Sequence, residues 1–123
     1  MAAGDGLSKR FSAMSLNGYV YLVVEENDPK GPLNYKVGLS ENPHVRVGKL
    51  QTGNPRKLRL FLECKVDNMS AAERSAKQAL VHYKCRLGGG TEWYTAGPEE
   101  EEDLIKTFEK AVHRYKPVKK QQK

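Results

Sequence analysis

A lysine, an arginine and a glutamate stand where a fold can bring them to one phosphate. Lys36 lies in a short strand-like run, Tyr35-Lys36-Val37, that ends in Gly38. Arg46 follows Asn42-Pro43, a helix start in which asparagine can cap and proline suits the first turn. Val47 and Leu50 flank it and bury one side of that helix. A strand lysine and a helix arginine can therefore face one shallow cleft, a geometry that suits a phosphate. Glu73, in Ser70-Ala71-Ala72-Glu73, opens a later helix and has two open readings. It can complete a capping box with Ser70, or it can hold a metal ion. Tyr19 and Tyr21 precede all three on a strand, where the plain reading of Tyr21 is a half-buried sheet tyrosine with its hydroxyl at the surface.

The elements that must position these side chains follow from pattern. Tyr19 to Val24 is β-branched and aromatic, a strand with Tyr19, Tyr21 and Val23 on one face. Glu25 to Leu33 is a polar turn containing Gly and Pro, which returns the chain as an antiparallel hairpin. The helix from Pro43 is predicted to end near Thr52-Gly53, with Gly53 as a left-handed cap and Pro55 barring continuation. Arg56 to Val66 alternates as a third strand, with Leu58, Leu60, Leu62 and Cys64 on one face and Arg59, Phe61, Glu63 and Lys65 on the other. The helix opening at Ser70 carries an apolar stripe of Ala72, Ala76, Ala79, Leu80 and Tyr83, with Glu73 on its flank. Arg86 to Gly90 reads as a loop and Thr91 to Tyr94 as a short strand or edge, with Trp93 closing the core under the last helix. That helix begins at Pro98, acidic from Glu99 to Asp103 and basic at Lys110, His113 and Arg114, which complements its dipole. Its buried face is Leu104, Ile105, Phe108, Ala111, Val112 and Tyr115. The expected fold is mixed α/β (α+β): a small, mainly antiparallel, three-stranded sheet flanked by helices, with one face under them. The domain spans residues 17–115, between a flexible tail at 1–16 and a basic tail at 116–123.

Tyr19-Val20-Tyr21, then Lys36-Val37-Gly38, then Arg46 and Glu73 in this order resemble the core of the GIY-YIG endonuclease superfamily, from about Asn17 to Tyr94. The resemblance implies a divalent-metal-dependent endonuclease, a hydrolase acting on nucleic acid, DNA before RNA. Tyr21, or Tyr19 in its place, would deprotonate or orient the attacking water. Lys36 and Arg46 would hold the scissile phosphate, and Glu73 would bind one Mg2+ or Mn2+ ion, well only with substrate present. The chain departs from the family pattern in three places. Lys36 stands for the tyrosine of the second triplet, as in a divergent branch. Leu50 occupies a position where many members carry histidine or tyrosine, and the asparagine often found after the metal glutamate has no counterpart near Gly88. A second functional class therefore stays open: a nucleic-acid-binding or protein-interaction module on the same scaffold, without turnover.

Charge supports a polyanion partner. Of the formal +6, the C-terminal Lys116, Lys119, Lys120 and Lys123 hold a large share. Within the body, Lys36, Arg46, Lys49, Arg56, Lys57 and Arg59 face only Glu41 in their stretch of chain. With Ser40, they form the expected nucleic-acid-binding stripe. No apolar run approaches the ~18 residues of a membrane span, and the first residues lack the apolar stretch of a secretory signal. Cys64 and Cys85 read as reduced thiols in an intracellular protein, cytoplasmic or nuclear, with Cys64 buried. His44, His82 and His113 form no ligand set, and GxSxG, HExxH and Walker patterns are absent. Without a targeting domain in the sequence, specificity would come from a protein partner or from nucleic-acid shape.

Overall fold

Strand β1, Gly18–Glu25, is apolar at nearly every position because it has a partner on each edge and a layer on each face. The computed structural model describes residues 17–26, 31–84 and 93–117. The segment before Asn17, Cys85, the loop at Arg86 to Gly90 and the end of the basic tail lie outside them. The order of elements is β1, β2 (Leu33–Ser40), α1 (Pro43–Thr52), β3 (Leu58–Val66), α2 (Met69–Ala79), β4 (Trp93–Ala96) and α3 (Glu101–His113). The strands form one antiparallel sheet in the order β3-β1-β2-β4. The sheet thus has four strands where three were expected. The extra one is the predicted edge, which extends to Ala96 and pairs with β2 over Leu33 to Lys36.

Alternation on β1 divides the core in two. Val20, Leu22 and Val24 point to the main core, where Met69, Ala72, Ala76 and Leu80 meet Leu104, Phe108 and Val112 of α3. The small alanines let α2 come close to the sheet, and Ser75 Oγ donates to Ala111 O at 2.9 Å, tying α2 to α3. Tyr21 and Val23 point the other way, onto Val47 of α1 and Leu58. The expectation of helices on one face alone is therefore corrected: α2 and α3 cover one face and α1 the other.

Three further expectations fail for local reasons. Leu22 pairs with Leu62 but Val23 with Leu60, so Phe61 is the extra residue of a β-bulge. The bulge breaks the alternation of β3. Leu58 and Leu60 turn to the α1 side, while Phe61, Leu62, Cys64 and Val66 turn to the main core. Trp93 likewise packs beside Tyr21 and Val47, on the side away from the last helix. Gly53 ends α1 at φ −101°, not in the left-handed region. Here the side chain of Gln51 makes the turn instead. Its Nε2 donates to Asn54 O at 3.1 Å and Arg56 O at 2.8 Å, and its Oε1 accepts from Leu58 N at 2.7 Å. One amide thereby ties the end of α1 to the start of β3.

The acidic run at the start of α3 does more than complement the dipole. Pro98–Glu100 forms a 3-10 turn before the α-helix proper. Tyr35, buried against Phe61 with ring centroids 5.6 Å apart, donates its hydroxyl to Glu101 Oε2 at 3.0 Å. Burial and that carboxylate hold the Tyr35 phenol far above its usual range. Tyr83 donates to Asp103, and that hydrogen bond, with a smaller contribution from burial, pushes its pKa up to about 12. Among the described residues no helix is long and apolar enough to cross a membrane.

A phenol whose folded pKa lies above its unfolded value stabilises the fold below the unfolded pKa and loses that contribution as pH rises through the folded one. The contribution of Tyr83 is thus present up to pH 10.0 and is lost toward pH 12. In an alkaline titration followed by phenolate absorbance, Asp103→Asn should move one late-titrating phenol back toward 10.0. An unchanged profile would show that Asp103 does not hold this proton.

Candidate active site

β4 covers β2 only as far as Lys36, so among the described strands none lies against the edge of Val37, Gly38 and Leu39. There a cleft of about 320 Å³ opens between α1 and α2, lined by Tyr21, Lys36, Val37, Gly38, Leu39, Arg46, Glu73 and Lys77. Four of the residues singled out by type and spacing, Tyr21, Lys36, Arg46 and Glu73, meet in this cleft from four different elements.

Tyr21 is 1% exposed and stands opposite Gly38 across the hairpin. Its phenol ring crosses the glycine so closely that a Cβ on Gly38 would lie 2.5 Å from Cζ and 2.8 Å from Cε1 of Tyr21. Glycine is needed here for space, not for an unusual φ. Lys36 projects from β2 with its Nζ 5.8 Å from the centroid of Trp93, its register partner on β4. That cation–π contact gives a flexible side chain a preferred direction. Arg46 is exposed on α1. The position of α1 is set by Val47 in the second core, by Asn42 Oδ1 accepting from Val45 N at 3.3 Å, and by Gln51.

Glu73 has no capping duty. The cap of α2 is Asn68, whose Oδ1 accepts from Ala71 N at 3.1 Å, and Ser70 lies inside the helix. The capping-box reading of Ser70 and Glu73 is therefore corrected. The carboxylate instead forms an ion pair with Lys77 at 3.4 Å. Among the described residues it is the only carboxylate lining the cleft, and no group of three or more metal-ligating residues occurs. This donor set fits Mg2+ or Mn2+ only as a shared site, with phosphate and water oxygens supplying the other ligands.

The remaining expected contacts do not line the cleft. Tyr19 is half-buried at the far end of β1, next to Ser40 and Lys65 across its two edges. The hydroxyl of Ser40 accepts from Asn42 N at 2.9 Å. Arg59 Nε donates to Glu26 Oε2 at 2.6 Å, and Arg56 lies 3.6 Å from Glu25. Lys49 and Lys57 are exposed. Outside the cleft, the basic stripe thus divides into Arg56 and Arg59, paired with carboxylates at the end of β1, and Lys49 and Lys57, open to solvent. Half-buried Leu50 packs onto the Tyr21 cluster. Cys64 is half-buried, and burial raises its thiol pKa. Lys77 was missed by the sequence reading, although its i,i+4 spacing from Glu73 was visible.

The T5orf172 domain model matches residues 18–113, from the first residue of β1 to the last of α3. The chain belongs to the T5orf172 domain family. Domains of this family occur in phage and bacterial nuclease-like proteins and are related to GIY-YIG-like endonuclease folds. Membership is suggestive of a nuclease or nucleic-acid-binding function. No curated protein and no solved structure matches the chain.

Two pairs of substitutions test this geometry by urea denaturation. Gly38→Ala should destabilise by about 1–3 kcal/mol, because the ring of Tyr21 must move. Gly48→Ala, where nothing lies within 4 Å, should stabilise α1 by about 0.5–1 kcal/mol. In the second pair, Asn68→Ala should cost about 1 kcal/mol and Ser70→Ala close to nothing. The reverse order would restore the capping box and withdraw the carboxylate from the cleft.

Proposed function

We propose that this T5orf172 domain is a divalent-metal-dependent nuclease of GIY-YIG type that hydrolyses a phosphodiester in the cleft. The observation that carries the reading is the convergence of Tyr21, Lys36, Arg46 and Glu73 on one small cleft at an open strand edge. Such a set has a use in phosphoryl transfer. Lys36 and Arg46 bind the non-bridging oxygens and stabilise the charge that grows on them as water attacks phosphorus. Arg46 suits the task because its stem packs along α1 while its fork reaches two oxygens. Tyr21, held by burial and by Gly38, orients the attacking water, whose proton passes to solvent as the oxygen bonds to phosphorus. Glu73 holds the divalent cation together with the phosphate, and when bound that cation supplies charge neutralisation at the leaving oxygen. Tyr19 lies away from the cleft lining and has no part in this scheme.

The substrate class is nucleic acid, DNA before RNA, drawn in by Lys49 and Lys57 outside the cleft. A binding module without turnover is the second reading. It is favoured by Leu50, which fills the Tyr21 cluster with an apolar side chain where many GIY-YIG members carry a polar one.

The test is cleavage of labelled single-stranded, duplex and branched DNA and RNA with Mg2+, Mn2+ or EDTA. Wild-type protein should cut at least one substrate, and only with metal. Arg46→Ala should lower turnover by roughly 10² while weakening binding little, because its charge acts on the transition state. Glu73→Gln should abolish cleavage with little change in thermal stability. Salt-dependent binding with no cleavage under any metal would leave the binding-module reading, and Arg46 would then be one phosphate contact among several.

A further inference from the structure

Lys77 lies one helical turn beyond Glu73 on α2, and its ammonium is 3.4 Å from the carboxylate. Both side chains are mostly withdrawn from solvent, at 28% and 22% exposure, and both line the cleft with Lys36 and Arg46. Among the described residues, the one carboxylate lining the cleft thus shares it with three cationic side chains. An ammonium this close to Glu73 opposes the approach of a dication twice over: it occupies a carboxylate oxygen, and it repels like charge. A phosphate entering the same cleft reverses the balance, since it offers the ammonium a second anion. The flexible four-carbon stem of lysine can follow that anion without moving the helix.

We propose that Lys77 is a built-in counter-ion that competes with the divalent cation for Glu73 and turns to the substrate phosphate when the cation binds. Cation and nucleic acid then bind as a coupled pair, each favouring the other, and the protein alone holds metal weakly. Lys77 is in this sense a positioning residue. The inference rests on the metal-binding role of Glu73 proposed above, and it is measurable without cleavage.

The experiment is Mn2+ binding to the purified 123-residue chain in the absence of nucleic acid, by electron paramagnetic resonance and calorimetry. Lys77→Gln should tighten Mn2+ binding at least about fivefold, the effect of removing one nearby like charge from a partly solvated site. Lys77→Arg retains the charge and should stay near wild type, and Glu73→Gln/Lys77→Gln should lose the gain. Adding a duplex oligonucleotide should tighten Mn2+ binding more in wild type than in Lys77→Gln. Circular dichroism on each variant guards against misfolding, with Lys77→Met as a second uncharged replacement. Unchanged or weaker Mn2+ binding in both uncharged variants overturns the proposal, as does a failure of every form to bind Mn2+. A gain in Lys77→Gln alongside a wild type that cuts nothing would uphold the counter-ion exchange and remove the nuclease reading. Cleavage by wild type with no gain would remove the exchange alone.

Discussion

Strand β1 meets water on neither face, and everything at the cleft follows from that. Because Val20, Leu22 and Val24 are committed to the main core, alternation drives Tyr21 and Val23 to the opposite face. A tyrosine there is surrounded by strand, helix and neighbouring side chains, and its ring can lie flat only across a residue without a side chain. Gly38 supplies that surface directly opposite Tyr21. The same close approach of ring and backbone puts a phenol, an open strand edge and the bases of α1 and α2 within one small volume. A side chain on Gly38 would disturb the main sheet and the cleft together.

The electrostatics are ordered by where carboxylates stand. Glu25 and Glu26, at the end of β1, take up Arg56 and Arg59. Glu101 and Asp103 accept from buried Tyr35 and from Tyr83 and so join α3 to the sheet and to the 3-10 turn Val81–Tyr83 that follows α2. Among the described residues, Glu73 is left as the sole carboxylate of the cleft lining, against Lys36, Arg46 and Lys77. Net positive charge beside a strand edge draws in a phosphate, whereas one carboxylate is too little to retain a dication by itself. On the proposed reading, such an arrangement would bind phosphate and dication more tightly together than either alone.

Much of this was legible in the sequence, and the failures have physical causes. The hairpin, the helix cap at Asn42 and the meeting of Tyr21, Lys36, Arg46 and Glu73 follow from local patterns and from a family resemblance. The bulge at Phe61 was not legible, because an unbroken alternation in β3 gives no sign that its partner will slip by one residue. Asn68 was passed over because Ser70-x-x-Glu73 is itself a complete capping signal, and only the backbone decides between two overlapping caps. Trp93 was assigned to the wrong face because β4 is so short that its pattern has no period to read. Lys77 was not singled out, since what gives it meaning is the cleft formed with elements distant in the chain.

The central claim is that a nucleic-acid phosphate binds in the cleft between α1 and α2. Its most direct measurement is an NMR titration of 15N-labelled protein with a short oligonucleotide at low salt, following backbone amides. Shifts should centre on Lys36 to Leu39, Arg46 and the Glu73–Lys77 turn, with smaller changes at Lys49 and Lys57. Shifts centred instead on the opposite side of the domain, around Glu63, Glu109 and Lys116, with the cleft amides unmoved, would contradict it.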